Sequence, residues 1–101
     1  MSKPSFTPEF KREAANLVLQ QGYSVPEASQ AVGVSQSALR RWVKQLKEEQ
    51  LGFTPEGSKA LTAEQQRIQD LEKRLKRMER ENEILKKAAA LLAADKINSL
   101  G

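Results

Sequence analysis

Apolar side chains recur along this chain with two rhythms, and the change of rhythm divides it. From Leu61 to Leu92 the repeat is seven. With Ile68 at heptad position a, Leu61, Leu75, Asn82 and Ala89 share that position, while Glu64, Leu71, Met78, Leu85 and Leu92 fall at d. Such a thin apolar seam, flanked by charge, is covered only by a second helix. Upstream the spacing is that of ordinary amphipathic helices. Phe10, Ala14, Leu17 and Val18 share one face of a helix predicted over 8–21, and Leu39, Trp42, Val43 and Leu46 share one face of another running from Ser35 to about residue 50. No run alternates with period two and β-branched residues are sparse, so the expected fold class is all-α.

Capping residues set the expected boundaries. Thr7-Pro8-Glu9 has the form of an N-cap, a first-turn proline and an acid on the helix dipole, and Gly22 ends that helix. Ser24-Val25-Pro26-Glu27 has the form of a capping box opening a short helix from Val25 to Val32. Gly33 supplies a left-handed residue before the Ser35 cap. Leu51 to Lys59 holds two glycines and a proline, which break a helix, and Thr62-Ala63-Glu64-Gln65 has the form of a second capping box. The expected organisation is a helix-turn-helix domain over 1–50, a hinge over 51–61, a leucine-zipper coiled coil over 62–95 and a disordered tail over 96–101.

The spacing of the second and third helices is specific. Counting from Val25 as the first place of a helix-turn-helix, small inner positions fall on Ala28 and Ser29, the turn glycine on Gly33, and core positions on Val32, Val34, Leu39 and Trp42. Opposite the apolar stripe of the third helix lie Ser37, Arg40, Arg41 and Lys44, and no acid occurs between Gln36 and Lys47. Short polar groups at the helix start (Ser35, Gln36, Ser37) followed by long cations (Arg40, Arg41, Lys44, Lys47) suit base edges and phosphates in a major groove. Trp42, on the apolar stripe, reads as core rather than as a stacking platform, and Phe6 and Tyr23 read as packing residues. Lys11, Arg12 and Glu13 read as a solvated face, with phosphate contact by the two cations as the alternative.

Charge around the seam chooses the zipper's partner. Position g holds Arg67, Arg74 and Glu81, and e holds Glu72, Glu79 and Lys86, so a parallel in-register homodimer pairs Arg67 with Glu72, Arg74 with Glu79 and Glu81 with Lys86. Exposed pairs of this kind contribute only about 0.3–0.5 kcal/mol each, so they select orientation while Ile68, Leu71, Leu75, Met78, Leu85 and Leu92 supply affinity. Asn82, a lone amide at a, is best satisfied by its symmetry mate and favours two strands. Ile84, Ala88 and Leu91 form a second stripe beside the seam, a possible contact for higher-order association.

Composition narrows the chemistry. The 101 residues carry a formal charge of +4 with neither cysteine nor histidine, which removes disulfides, zinc fingers, thiol nucleophiles and imidazole bases. With no long apolar run and no apolar signal core in Met1–Thr7, a soluble intracellular, cytoplasmic protein is expected, without membrane contact or cofactor. The only aspartates are Asp70 and Asp95, too few and too exposed for a two-metal carboxylate site, so a non-enzyme is expected.

Phe-Thr-Pro-Glu-Phe-Lys at 6–11, Val-Gly-Val-Ser at 32–35, Leu39-Arg40-Arg41-Trp42-Val43, and Glu81-Asn82-Glu83-Ile84-Leu85-Lys86-Lys87-Ala88 together resemble the short upstream product, often called OrfA, of bacterial insertion sequences of the IS-three group. The resemblance runs over essentially the whole length. It implies double-stranded DNA at the element's terminal inverted repeats as the ligand, a zipper homodimer, and pairing with a longer frameshifted transposase that carries the catalytic domain. It also assigns Trp42 to the DNA-binding unit and Leu71, Leu85 and Leu92 to the zipper, with Met78 standing where a leucine is usual. A small dimeric helix-turn-helix transcription regulator is the alternative expectation.

Overall fold

The computed structural model describes residues 5–100, and the side chains of residues 5–95. Among the described residues there are four helices and no strand: α1 (Pro8–Leu19), α2 (Val25–Val32), α3 (Gln36–Gln50) and α4 (Ala63–Leu100). The chain divides into two units, Met1–Ile68 and Gln69–Gly101.

Each helix start is closed by the side chain expected from the sequence. Thr7 Oγ1 accepts the Phe10 amide at 3.1 Å, with Pro8 in the first turn, where a missing N–H costs nothing. At α2 the box is complete: Ser24 Oγ accepts from the Glu27 amide at 3.2 Å, and Glu27 Oε1 accepts from the Ser24 amide at 3.2 Å and its hydroxyl at 2.8 Å. Those bonds, side chain first and backbone second, hold the Glu27 carboxyl below its ordinary value. The resulting stabilisation is present above the ordinary carboxylate range and is lost as pH falls through the lowered value. Gly33 takes φ 74° and Ser35 Oγ then accepts from the Ala38 amide at 3.1 Å, so the cap of α3 stands two residues after a left-handed turn.

The first three helices close around Ala14, Ala15, Ala28, Leu39, Trp42, Val43 and Leu46. Three alanines at these crossings let backbones approach, and Leu39 and Leu46 fill the space between them. Buried Ser29 is satisfied, its hydroxyl donating to the Pro26 carbonyl at 2.9 Å. Phe6 stacks on Phe10 with centroids 5.2 Å apart and meets Trp42 edge-on at 5.2 Å, so Trp42 is a packing residue, as is Phe6. Tyr23, expected to pack, is instead exposed, because the turn after Gly22 leaves it outside the α1–α2 contact.

After α3 the chain leaves the helix over 51–61, where a hinge is expected. The glycines and proline of that segment do break the helix, but Ala60 and Leu61 are fully buried, and Leu61, 1% exposed, joins the core of the N-terminal unit. Leu61 is therefore withdrawn from the heptad seam, which loses its first a position. The second capping box is half formed. Thr62 Oγ1 accepts from the Gln65 amide at 3.2 Å, whereas Gln65 Oε1 turns to the Thr54 hydroxyl, and the Thr62 amide is taken by Glu49 Oε1 at 2.8 Å.

α4 is one helix of 38 residues with neither glycine nor proline. The helical backbone continues to Leu100 rather than stopping at residue 95 before a disordered tail. Nothing from Ala88 to Leu100 interrupts it, and alanine and leucine are strong helix formers. Gly101 lies outside the described residues.

Candidate nucleic-acid interface

Helix α3 owes its orientation to its apolar side. Leu39, Trp42, Val43 and Leu46 are buried, and they leave Gln36, Ser37, Arg40, Arg41, Lys44 and Lys47 exposed on the remaining surface. Ser35 is also exposed, though its hydroxyl is engaged as the cap. The outer residues fall into two rows separated by about one helical step. In the first row the Arg40 guanidinium donates to Gln36 Oε1 at 3.2 Å, which holds it along the outer face.

In the second row Arg41 and Lys44 border a shallow depression of about 410 Å³ shared with Lys11, Trp42, Gln45, Glu48, Pro55 and Ser58. Lys11 comes from α1, and its ammonium stands 5.9 Å from the centre of the Trp42 ring. The cationic surface thus extends from α3 onto α1, with the Glu48 carboxylate as the one acid on that rim. Lys11 and Arg12, adjacent in sequence, part here. Arg12 turns inward and donates to the Leu61 carbonyl at 3.4 Å. Sequence alone leaves both as surface cations; the difference arises from a residue 49 positions away.

Glu49 is the residue that sequence reasoning missed. It is 5% exposed and sits on the inward side of α3, accepting from the Leu61 and Thr62 amides, the Thr62 hydroxyl and the Gln45 amide group. A signal existed: position 49 follows Leu46 by three, on the same stripe as Leu39, Trp42 and Val43. A carboxylate on an apolar stripe demands donors, and here it finds them at the start of α4.

The heptad residues lie on uninterrupted helix. Ile68, Leu71, Leu75, Met78, Leu85 and Leu92 are all exposed, as are Asn82 and the second stripe of Ile84, Ala88 and Leu91. Exposure rises along the seam from 43% at Ile68 to 70% at Leu92. No described helix is long and apolar enough to cross a membrane.

Comparison with known proteins identifies a family. A family described as transposase matches residues 1–90. InsN, named as a transposase for insertion sequence element IS911A of Escherichia coli (strain K12), is 52% identical over 88 residues. That match takes in 87% of this chain, which spans only 65% of the relative's length. InsN for element IS911B of the same strain is 51% identical over 87 residues, 86% of this chain and 98% of the relative. YkgN, also named as a transposase of that strain, is 35% identical over 91 residues, 88% of this chain and 75% of the relative. No solved structure matches.

Proposed function

The chain belongs to this transposase family, and we propose that within it the protein is a non-catalytic DNA-binding subunit. It places α3 in the major groove of the element's terminal inverted repeats, dimerises through α4 and pairs with a longer transposase that supplies the chemistry. The observation that carries this reading is the outer face of α3, where Gln36, Ser37, Arg40, Arg41, Lys44 and Lys47 stand exposed behind a fully packed apolar side. Arg40 and Arg41 have the planar fork that reads guanine, and Lys44 and Lys47 reach phosphates as point charges. Ser37 and Gln36, near the helix start, contribute base choice.

In the dimer, Ile68, Leu71, Leu75, Met78, Leu85 and Leu92 close the seam, with Asn82 fixing register. The heptad pattern and its complementary e and g charges support a second copy of this chain, or the same segment of the longer transposase, as the occupant. Footprinting on the DNA flanking the protein's own gene tests the reading. Alanine at Arg40, Arg41 and Lys44 together should abolish protection while circular dichroism stays unchanged. Arg41→Ala alone should cost about 1–3 kcal/mol if that side chain reads a base. Full protection by the folded triple variant rules out α3 as the reading element.

A further inference from the structure

We infer that Glu49 is a positioning residue that fixes the start of the zipper helix against the recognition helix, and thereby sets which separation of DNA half-sites a dimer accepts. The inference rests on the DNA-binding reading above and adds a geometric specificity to it. Both carboxylate oxygens of Glu49 are engaged. Oε1 accepts from the Leu61 amide at 3.0 Å, the Thr62 amide at 2.8 Å and the Thr62 hydroxyl at 2.9 Å; Oε2 accepts from the Leu61 amide at 2.9 Å and Gln45 Nε2 at 2.7 Å. The two amides belong to the residues immediately before α4, where free N–H groups and the helix dipole favour an anion.

Neighbouring bonds reinforce the same junction. Gln45 Nε2 donates to the Lys59 carbonyl at 2.9 Å, Arg12 to the Leu61 carbonyl, Gln66 Nε2 to the Ala60 carbonyl at 3.2 Å, and the Leu61 side chain is buried in the core. A tether meant only to join two modules needs none of this, and a buried carboxylate with several donors has a single low-energy placement. Glu49 lies on the same helix as Lys44 and Arg40, five and nine residues earlier. Any movement of the α4 start relative to Glu49 is therefore a movement relative to the reading side chains. Since α4 holds no glycine or proline, no joint is written into its first turns, Ala63 to Ile68. Paired helix-turn-helix heads meet DNA at half-sites set by the helical repeat, so the exit of α4 becomes a selector of spacing.

Two measurements test this. The chain has no cysteine, so Glu13→Cys with Ala63→Cys gives two exposed spin-label sites within the N-terminal unit, read by pulsed dipolar spectroscopy in samples diluted with unlabelled chain. A narrow distance distribution is expected with Glu49 present and a broad one with Glu49→Ala. Should Glu49→Ala fail to fold, Glu49→Gln, which keeps the size and one acceptor, carries the same comparison. The second measurement uses duplexes selected by the wild-type chain from a random pool, rebuilt with two sites stepped apart by single base pairs. Wild type should favour one separation, whereas Glu49→Ala should bind a single site unchanged, lose about tenfold at the favoured separation, and show a flat profile. A merely structural role would lower binding at every separation alike. Equal distance distributions, or an unchanged spacing profile, overturn the inference. Failure of the wild type to select any duplex overturns the DNA-binding reading instead, and the distance measurement still decides the role of Glu49.

Discussion

Leu61 and Glu49 each occupy a position whose type suggests one job while its surroundings assign another. Leu61 continues the heptad count of the seam, yet its side chain belongs to the core formed by Leu39, Trp42 and Leu46. The two roles make opposite predictions for Leu61→Ala. As a core residue it should cost the N-terminal unit about 2–5 kcal/mol in urea unfolding, the range for a buried leucine truncated to alanine, with little effect on dimer affinity. As a zipper residue it would weaken dimers and leave the stability of that unit unchanged. Unfolding of the 1–68 segment, read beside sedimentation of the full chain, separates the two. Glu49 shows why such assignments escape a local reading. Its partners Leu61 and Thr62 lie 12 and 13 residues on, across a segment whose composition reads only as a break.

At the scale of elements, the helices were legible where the determinants are local. Val25–Val32 was marked by a capping box at one end and Gly33 at the other, and α3 by Ser35 and a continuous apolar stripe. Each of those signals acts within four residues of the boundary it sets. Within 51–61 the break in the helix was legible and the burial of Ala60 and Leu61 was not, because glycine and proline say that a helix stops and are silent on what the chain packs against. The second capping box failed in half for the same reason: a distant carboxylate outcompeted Gln65 for the Thr62 amide. The interface gained a member likewise, since only the α1–α3 packing shows that Lys11 shares a rim with Arg41 and Lys44. On the proposed DNA-binding reading, Lys11 therefore joins the expected phosphate contacts and Arg12 does not. Lys11→Gln should weaken binding by a similar factor on cognate and random duplexes and lower the salt slope by about one unit per monomer. Unchanged slopes would return Lys11 to packing on Trp42 alone.

At the scale of the whole molecule, the proposed function has a single small helix-turn-helix head making few contacts, so that affinity comes from joining two. Tethering the second head through a zipper dimer raises its effective concentration and gains about 10²–10⁴-fold when both half-sites are reached. The division of the chain says where to cut to test this. Ending a fragment at residue 60 would remove Leu61 from the core and Thr62 from Glu49, confusing lost dimerisation with lost folding. Ending it at Ile68 keeps the whole N-terminal unit. The 1–68 fragment should be folded, monomeric by sedimentation and weaker on cognate DNA by that factor, and Leu71→Pro in the full chain should match it, since proline inside a helix interior costs about 3 kcal/mol or more. Ile84→Lys with Leu91→Lys supplies the comparison from the same helix. Both positions are off the seam, so this variant should retain the dimer and its DNA affinity and lose only species larger than dimers. Tight binding by the monomeric fragment would show that one head suffices. Loss of the dimer in the Ile84 and Leu91 variant would show that the seam has been placed on the wrong face of α4.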